Sequence, residues 1–548
     1  MRSNMYRPHS PQMSLFQPHF WMNKRLLREL ESSWAHIFRH KVFPRIPEDV
    51  FADLYSEGRG APNFPVRILV ALSLLKELLG LRDVDLIANF HFNALFHYAL
   101  WIAPGEYTLS LRTLYNFRAR IAGHEGMARV FEEITDAMLA ELGVDPSFQR
   151  IDATQVTSNM ANLNRLTLFA RTIEAFLREV ERRCPDRVRE VAEEIRGRYL
   201  DRSGYFGDPR QAGEARRRLE QAAEDVATLV AQFEGVEPVC SLRTYALLVR
   251  LFSEQCRVEP SPSDDGEEGG DPSQRIVVPR DPKEISSDSL QNPSDPDATY
   301  NRHKGKGYTV QVMETCTETN PVQLVTAVKV QGANEGDGSA LVPMLDALEQ
   351  RGWAPERVLG DTHYGGTERL LAAAERRVDL LAPTPGAVDP ADLTLMDFGI
   401  DSDTLEILSC PEGHAVERRR SHAEGKGETV WFSAEACKTC EQRDSCPAGR
   451  HQGRLRVTPE ALLLAWNRAR ETTEAFRDVY RLRSGIEGTM SELKRAHGMN
   501  RIWTRGRARV TWVVFCKALA CNIKRVARWW RREVVGAGRP GWLVTATV

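Results

Sequence analysis

The sequence predicts a multidomain α/β protein, with a mixed β-sheet preceded by a helical region and interrupted by two insertions. Strand patterns alternate with helix patterns between 300 and 384, as in a mixed sheet. Helical periodicity dominates both ends of the chain. Hydrophobic residues make up 42% of the 548 and charged residues 27%, which excludes disorder throughout and provides for a sizeable core.

The first 130 residues are predicted to form a helical domain. The segment FPVRILVALSLLKELLGLRDVDLIANF, which begins at Phe64, carries apolar residues at helical spacing, and TLSLRTLYNFRARI opens with a Ser/Thr cap. Short helices of this kind suit a helix-turn-helix-like DNA reader, with Arg112, Arg118 and Arg120 as candidate contacts. A helical bundle that only packs against its neighbours explains the pattern equally well.

The α/β core domain, which contains the sheet, is predicted to be assembled from three separate pieces of chain: 145–158, 300–384 and 457–532. Its strand patterns lie at Phe148–Ser158, Gly307–Thr315, Val322–Gln331, Glu356–Asp361 and the segment VDLLAP. Helix patterns at Asp337–Arg351 and Thr367–Arg376 separate the later strands, and the last piece, from Pro459 to Arg532, is helical.

Two insertions and a loop separate these pieces. Residues 159–256 carry a charged helical pattern and are predicted to form a helical insertion. From Glu259 to Asp297 there are 11 acidic residues, three basic residues and seven prolines without a hydrophobic period, which predicts a disordered acidic loop over 257–299. Residues 385–456 form a second insertion that holds a cysteine cluster, and 533–548 form a tail.

The net charge of −2 hides a strong asymmetry. From Arg477 to Arg532 there are 15 lysines and arginines against three acidic residues, interleaved with tyrosine and tryptophan. Basic residues beside aromatic ones suit a polyanion with stackable bases. The alternative is a solvated basic face over core aromatics.

Several classes of protein are unsupported. No segment has the ~20 consecutive apolar residues of a membrane span, and Met1–Pro18 lacks the apolar core of an export signal. We therefore expect a cytoplasmic protein with no membrane partner. No G-x-S-x-G elbow and no Walker loop appears, so a serine hydrolase or P-loop NTPase is not indicated.

Three acidic residues stand where chemistry is plausible. Asp152 lies in the middle of a strand, where a lone charge is costly unless it is paired or bound to a metal. Asp361 lies at the carboxyl end of a strand, where open α/β sheets place ligands. Glu487 lies in the predicted helix YRLRSGIEGTMSELKR. Taken singly, each acid also suits a capping or surface role.

The Glu487 helix combines the acid with cations. Because a helix advances ~100° per residue, four side chains fall within about 60° of one face: Tyr480, Arg483, Glu487 and Lys494. Glu492 falls on the opposite side and is predicted to be solvated, and Gly485 is tolerable where a backbone approaches closely. This face suits phosphate clamps beside a metal ligand, and hard carboxylate oxygens favour Mg²⁺ or Mn²⁺.

These residues resemble a known family, the DDE-type bacterial insertion-sequence transposases with an RNase-H-like catalytic core. The signature Tyr-x2-Arg-x3-Glu-x6-Lys is complete from Tyr480 to Lys494, IDATQV resembles the first aspartate motif, and DTHYGG resembles the second. The segment TRGRARVTWVVFCKALACNIKRVARW resembles the closing helix, and the Phe64 segment resembles the helical N-terminal domain. The sequence departs from the family in the long region between Asp152 and the next strands.

The resemblance implies a transposase that cleaves DNA at the ends of its element and joins a 3′-hydroxyl to target DNA. Asp152, Asp361 and Glu487 are implied to hold two Mg²⁺ or Mn²⁺ ions, which assist phosphoryl transfer. The implied DNA contacts are Tyr480, Arg483 and Lys494, with Arg118 and Arg505 as further candidates.

The implied partners are double-stranded DNA, as terminal inverted repeats and as target, and a second copy of the chain in a homodimer or higher oligomer. The implied location is the bacterial cytoplasm, with nucleoid association when the protein is bound to DNA. The alternatives are a catalytically inactive DNA-binding relic or repressor, and another RNase-H-like nuclease such as a junction resolvase. The intact acidic triad argues against decay.

The cysteine cluster is a second candidate metal site. Cys437, Cys440 and Cys446 follow the spacing CxxC-x5-C, and Cys410 lies 26 residues upstream. Four such thiols can surround a tetrahedral Zn²⁺, with His414 as a possible substitute ligand. Reduced cysteines without metal are the alternative. Cys516 and Cys521 lie in an apolar helix and are predicted to be core residues.

Overall fold

The computed structural model describes residues 5–9, 18–56, 62–201, 213–260, 275–386, 389, 391–423 and 426–535. Its centre is a mixed β-sheet with helices on both faces, so the predicted α/β class with a helical N-terminal region is confirmed. The predicted tail, 533–548, lies almost wholly outside the described residues.

Seven α-helices of the described chain precede the sheet: α1 (Lys24–Glu31), α2 (Trp34–Ile37), α3 (Val66–Leu79), α4 (Asp83–Phe92), α5 (Ala94–Ala99), α6 (Leu111–Arg120) and α7 (Gly126–Leu142). The 3₁₀ turns Pro18–Trp21, Phe43–Arg45 and Asp49–Leu54 and the π turn Phe38–Val42 accompany the first two. All but two of the 14 residues of α3 are buried, so it is the centre of this region. It ends at Gly80, whose φ of +66° favours a residue without Cβ, and the long apolar segment is therefore two helices.

The helical insertion has a hydrophobic core of its own. After strand β1 (Phe148–Val156) the chain forms α8 (Arg165–Arg183), α9 (Pro185–Val188), α10 (Glu193–Leu200), α11 (Glu214–Phe233) and α12 (Arg243–Gln255). Phe169, Phe176 and Phe233 are fully buried in the cluster that these helices share. The sequence predicted these helices from their period. Their buried side chains form a hydrophobic cluster separate from that of the central sheet.

The prediction of a disordered loop over 257–299 is wrong for residues 257–260 and 275–299, which the structure describes as ordered. Strands β2 (Cys256–Pro260) and β3 (Arg275–Pro279) pair antiparallel, and 261–274 lie outside the described residues. Asp295 is fully buried, and its Oδ1 accepts one hydrogen bond from the Tyr308 hydroxyl at 2.7 Å and another from Gly506 N at 3.0 Å. These bonds tie the segment to the sheet and compensate for its polar composition.

The central sheet has the strand order of an RNase-H-like core. The remaining elements are β4 (Thr299–Asn301), β5 (Gly305–Thr315), β6 (Val325–Gly332), α13 (Leu341–Gln350), β7 (Arg357–Leu359), α14 (Thr367–Glu375) and β8 (Asp379–Leu381). The order is β6–β5–β1–β7–β8, with β4 on the end of β5. The first three strands are antiparallel, and β7 and β8 run parallel to β1.

The second insertion contains two small sheets, with strands β9 (Gly399–Ile400), β10 (Ile407–Ser409), β11 (Arg418–Ser421) and β12 (Glu428–Trp431), helix α15 (Ala434–Thr439) and strand β13 (Arg454–Val457). The described chain then continues with helices α16 (Pro459–Glu471), α17 (Glu474–Tyr480), α18 (Ile486–Arg495) and α19 (Arg507–Trp530). The predicted helical character of the last segment is confirmed.

Helix α19 joins the N-terminal helices to the sheet. It packs against α3, α7 and β6, and one continuous hydrophobic cluster spans all three. The Asn522 amide accepts from Val325 N and donates to Val325 O, both at 2.8 Å, which fixes the helix at the start of β6. Cys516 and Cys521 are buried in this helix, as predicted.

Candidate active site

Asp152 and Asp361 lie side by side because their strands are parallel neighbours. β1 pairs with β7 through Phe148↔Arg357 and Arg150↔Leu359. The same register, continued by two residues, places Asp152 opposite Asp361. Two acids from distant parts of the chain therefore meet, with Asp152 in the middle of β1 and Asp361 two residues beyond the carboxyl end of β7, the kind of strand end where an open α/β sheet places its ligands.

Asp152 is a largely buried carboxylate, with 12% of its side chain exposed. Burial raises the pKa of Asp152, and the negative charges of Asp361 and Glu487 raise it further. The Ala153 N–H, which donates to Oδ1 at 2.7 Å, and the Arg483 guanidinium oppose the rise. The charged form of Asp152 is thus disfavoured here and gains from any additional cation.

Glu487 does not lie on one continuous helix with Tyr480, and that prediction is wrong. α17 ends at Tyr480, a 3₁₀ turn covers Arg481–Gly485, and Glu487 is the second residue of α18. The Leu482 carbonyl accepts a hydrogen bond from Arg150 Nη1 at 2.7 Å, while Ile486 N donates to later carbonyls of the turn. A Cβ on Gly485 would lie 2.0 Å from Arg150 Nη1, which explains the glycine.

The guanidinium of Arg483 bridges the three predicted acids. Arg483 Nη2 lies 3.2 Å from Asp152 Oδ2 and 3.9 Å from Asp361 Oδ2, and Arg483 Nη1 lies 3.6 Å from Glu487 Oε1. The three acids thus gather around one cation, and the four groups together carry a formal charge of −2. Glu487 is the most open of them, with 66% of its side chain exposed.

The acids do not form a closed cage in this arrangement. Among the described residues, the group with three metal-ligating atoms all within 4.8 Å of one another is Glu492, His497 and Cys521. Those three residues lie beside Arg525, Arg528 and the lysines of α19, so a cation there is electrostatically disfavoured.

Tyr480 and Lys494 occupy different surroundings. The Tyr480 hydroxyl donates to the Gly360 carbonyl at 3.0 Å, so it fixes the backbone directly before Asp361, and its ring stacks on Phe476. Lys494 is exposed and has no assigned hydrogen bond or ion pair within the described ranges. Its predicted DNA contact therefore needs no internal bond to break.

The two other predicted DNA contacts differ from each other. Arg118 is 13% exposed, because it makes a bidentate ion pair with Asp83 at 2.8 and 2.9 Å and lies over the Trp503 ring. These contacts hold α6 to α4 and give Arg118 a packing role. Arg505 is exposed and donates to the Asn159 carbonyl. DNA binding by either residue stays a prediction.

Glu492 is not the solvated residue that was predicted. Its carboxylate pairs with Arg525 Nε at 2.9 Å and with Arg528 Nη1 at 2.8 Å, and only 17% of the side chain is exposed. Burial alone raises the pKa of Glu492, but the two arginines outweigh it and lower the pKa. α19 covers this side of α18, which helical periodicity alone did not reveal.

A further buried carboxylate, Glu314, lies beside the site and was not predicted from the sequence. Glu314, on β5, is fully buried and binds Arg150 Nη2 at 2.6 Å, Arg525 Nη1 at 2.9 Å and the Thr489 hydroxyl at 2.6 Å. This cluster ties β1, β5, α18 and α19 together and so sets where Glu487 stands. The signal in the sequence was Arg150, which lies two residues before Asp152 in the same strand.

Comparison with known families agrees with this architecture. Residues 409–527 match the model of the transposase DDE domain, and residues 28–120 match a transposase domain (DUF772). Both matched models are transposase models, so the resemblance to DDE-type insertion-sequence transposases is confirmed. No curated protein and no solved structure matches the chain.

The family match covers only part of the candidate active site. The DDE-domain match begins just before Cys410 and includes Glu487 and Lys494, whereas Asp152 and Asp361 lie upstream of it. Their assignment to the site therefore depends on the strand register and on Arg483. Over the described ranges, no helix is both long and apolar enough to cross a membrane.

Proposed function

We propose that this transposase cleaves DNA at the ends of its own element and transfers the resulting 3′-hydroxyl to target DNA, with Asp152, Asp361 and Glu487 as the catalytic acids. One observation carries the proposal: three carboxylates from separate segments gather around one guanidinium at 3.2 to 3.9 Å. A structural ion-pair cluster has no need of this excess of negative charge.

The donor set fits hard divalent cations. Carboxylate oxygens suit Mg²⁺ or Mn²⁺, and the formal charge of −2 left after Arg483 is counted matches one divalent ion before any DNA is bound. Asp152, Asp361 and Glu487 would hold two such ions once the phosphate is present. When bound, the ions acidify the attacking hydroxyl and offset the charge that builds up on the phosphate.

The residues of the chain position the substrate. Lys494, exposed and without an internal partner in the described structure, supplies a cation for a DNA phosphate next to Glu487. Arg483 supplies a second cation at the centre of the site. Tyr480 holds the Gly360 backbone, and through it the carboxylate of Asp361, in line with β1.

The partners that this function requires are duplex DNA, as terminal inverted repeats and target, and a second copy of the chain. Joining two ends to one target needs two active sites, so we propose a homodimer or a higher oligomer on DNA. The exposed Arg505 lies on the loop before α19, where we propose that it supplies a further cation for the DNA.

The test is cleavage of a plasmid that carries the DNA flanking the gene, in Mg²⁺ or Mn²⁺, by wild type and Asp361→Asn. We expect breaks at the element ends that need the metal and are lost in the variant. Glu318→Gln is the matched control, because Glu318 is an exposed carboxylate that pairs only with the exposed Arg481 in the described structure. Binding to the ends without cleavage in either metal would instead support a DNA-binding relic or repressor.

A further inference from the structure

Four cysteines of the second insertion line one small cavity. Its volume is about 20 Å³, the size of a single ion or water, and its walls include Cys410, Cys437, Cys440 and Cys446, with His414 beside them. All four are free thiols. Residues that are up to 36 positions apart in the chain are therefore brought to one point, as the spacing predicted.

Tight backbone turns hold Cys410, Cys440 and Cys446, whereas Cys437 lies in helix α15. Cys410 N donates to the His414 carbonyl and Gly413 N donates to the Cys410 carbonyl, both at 2.9 Å. In the second loop, Arg443 N donates to the Cys440 carbonyl at 3.2 Å and Cys446 N donates to the Gln442 carbonyl at 2.9 Å. These turns and helix α15 together place the four cysteines around the cavity.

The four thiols line the same cavity, but their sulfur atoms are not tightly clustered. No three of these sulfurs lie within 4.8 Å of one another in the described structure. The side chains must therefore rotate inward to reach the Zn–S distance of about 2.3 Å.

The insertion has a small core that a cross-link would stabilise. Its core is small, with eight buried apolar residues: Phe398, Ile407, Val430, Phe432, Cys446, Ala448, Leu455 and Val457. A unit of this size rarely has enough buried apolar area to be stable without a disulfide, a metal or support from a larger domain. Thiolates are soft ligands that favour Zn²⁺ over the hard cations of the acidic site.

We propose that Cys410, Cys437, Cys440 and Cys446 bind one structural zinc ion that stabilises the second insertion. This site is separate from the catalytic acids, and the proposal does not depend on the transposition chemistry. The ion fixes the insertion above α16, whose Glu471 accepts hydrogen bonds from the Thr384 backbone and hydroxyl at the entry to the insertion. Zinc binding then holds the segment between β8 and the Glu487 helix in one arrangement.

The test is the metal content of the full chain, purified without chelator or an immobilised-metal column and measured by mass spectrometry. We expect about one zinc per chain in wild type and less than about a tenth of that in Cys437→Ser or Cys440→Ser. Cys240→Ser is the matched control, because Cys240 is partly exposed and lies in the helical insertion. His414→Ala should keep the metal.

A second measurement covers variants that fail to fold. Wild type is treated with a chelator and digested briefly with protease, and we expect new cuts confined to the second insertion, which added Zn²⁺ suppresses. Cobalt titration of the stripped protein should give the absorption of a thiolate-bound ion. A zinc-free wild type with four thiols that react with a thiol reagent would overturn the proposal, and so would a disulfide among the four cysteines.

Discussion

Two clusters of carboxylates and arginines lie near each other in this molecule and differ in charge balance. The first, Asp152, Asp361 and Glu487, has three acids for one arginine and opens to solvent at Glu487. The second, around Glu314 and Glu492, has three arginines for two acids and is closed: Arg150, Arg525 and Arg528.

The difference separates a structural role from a chemical one. A buried charge that is fully paired and hydrogen-bonded holds elements in place, since breaking one partner leaves the other uncompensated. An open cluster with excess negative charge is incomplete by itself and gains from added cations. The same residue types therefore serve two purposes, and the number of partners tells them apart.

The largest effect should come from Glu487, and the second glutamate of α18, Glu492, is its matched control. Glu487→Gln is expected to lower DNA cleavage by about a thousandfold or more, or about 4 kcal/mol in the barrier, because it removes a ligand oxygen charge from the open cluster. Glu492→Gln should keep cleavage within about tenfold in protein that remains folded. Single-turnover cleavage measures both, and equal losses would contradict the division into two clusters.

Breaking the closed cluster should cost stability. Arg525→Met leaves Glu314 buried with one arginine fewer and is expected to lower the free energy of unfolding by about 3–5 kcal/mol. Denaturant unfolding followed by fluorescence measures the change. Arg528→Met is the control, because Arg528 is 64% exposed and its removal should cost less than about 1 kcal/mol.

Acid should lower the free energy of unfolding through the buried His497, which lies beside Glu492 of the closed cluster. Burial lowers the pKa of His497 to about 4, and Lys524 and Lys517 lower it further while Glu492 opposes them. The unfolded chain takes up this proton near pH 6.5 and the folded chain only near pH 4. Stability should therefore fall as the pH drops through this window, by up to about 3 kcal/mol from His497 alone. Thermal unfolding between pH 7 and 4 should show a smaller loss in His497→Gln than in wild type.

Removing Arg483, the cation of the open cluster, should increase the affinity of the three acids for a metal ion. Arg483→Met is expected to bind Mn²⁺ without DNA up to about tenfold more tightly than wild type, because the guanidinium no longer competes for the acids. Calorimetric titration measures this, and Arg481→Met is the exposed control. Unchanged or weaker binding would show that Arg483 does not compete with the ion.

The smallest effect concerns Asp152. Since its folded pKa is raised, protonation stabilises the fold, and the stability that this group contributes is present at low pH and lost as the pH rises through the folded pKa. Asp152→Asn removes the charge, so we expect its Tm at pH 8 to be about 2 °C above that of wild type, with the gap closing in acid. A gap that widens in acid would contradict this assignment.

Sequence patterns predicted what is local. The strand and helix periods, the acid motifs and the signature from Tyr480 to Lys494 all lie within short windows, and the structure places those acids together. The closed cluster was not predicted, because Glu314 and its two arginines are 164 and 211 positions apart. Pairing at such distances depends on strand register and helix packing, which no local pattern encodes.

Two predictions, the continuous Glu487 helix and the disordered acidic loop, were wrong because each region makes contacts with distant parts of the chain that local composition and period do not reveal. The 3₁₀ turn Arg481–Gly485 accepts a hydrogen bond from Arg150, a residue of a different element, so the helical period of the sequence gave no sign of the break. The acidic stretch was judged on its average composition, which concealed the buried Asp295 and the pairing of β2 with β3.

The position of α19 has a consequence for synthesis of the protein. Helix α19 covers the face of β6 and is the element on which α3 and α7 pack, yet it is the last α-helix of the described chain to leave the ribosome. Until then the apolar faces of both regions stay uncovered. We therefore expect a chain that stops before this helix to expose apolar surface and to aggregate.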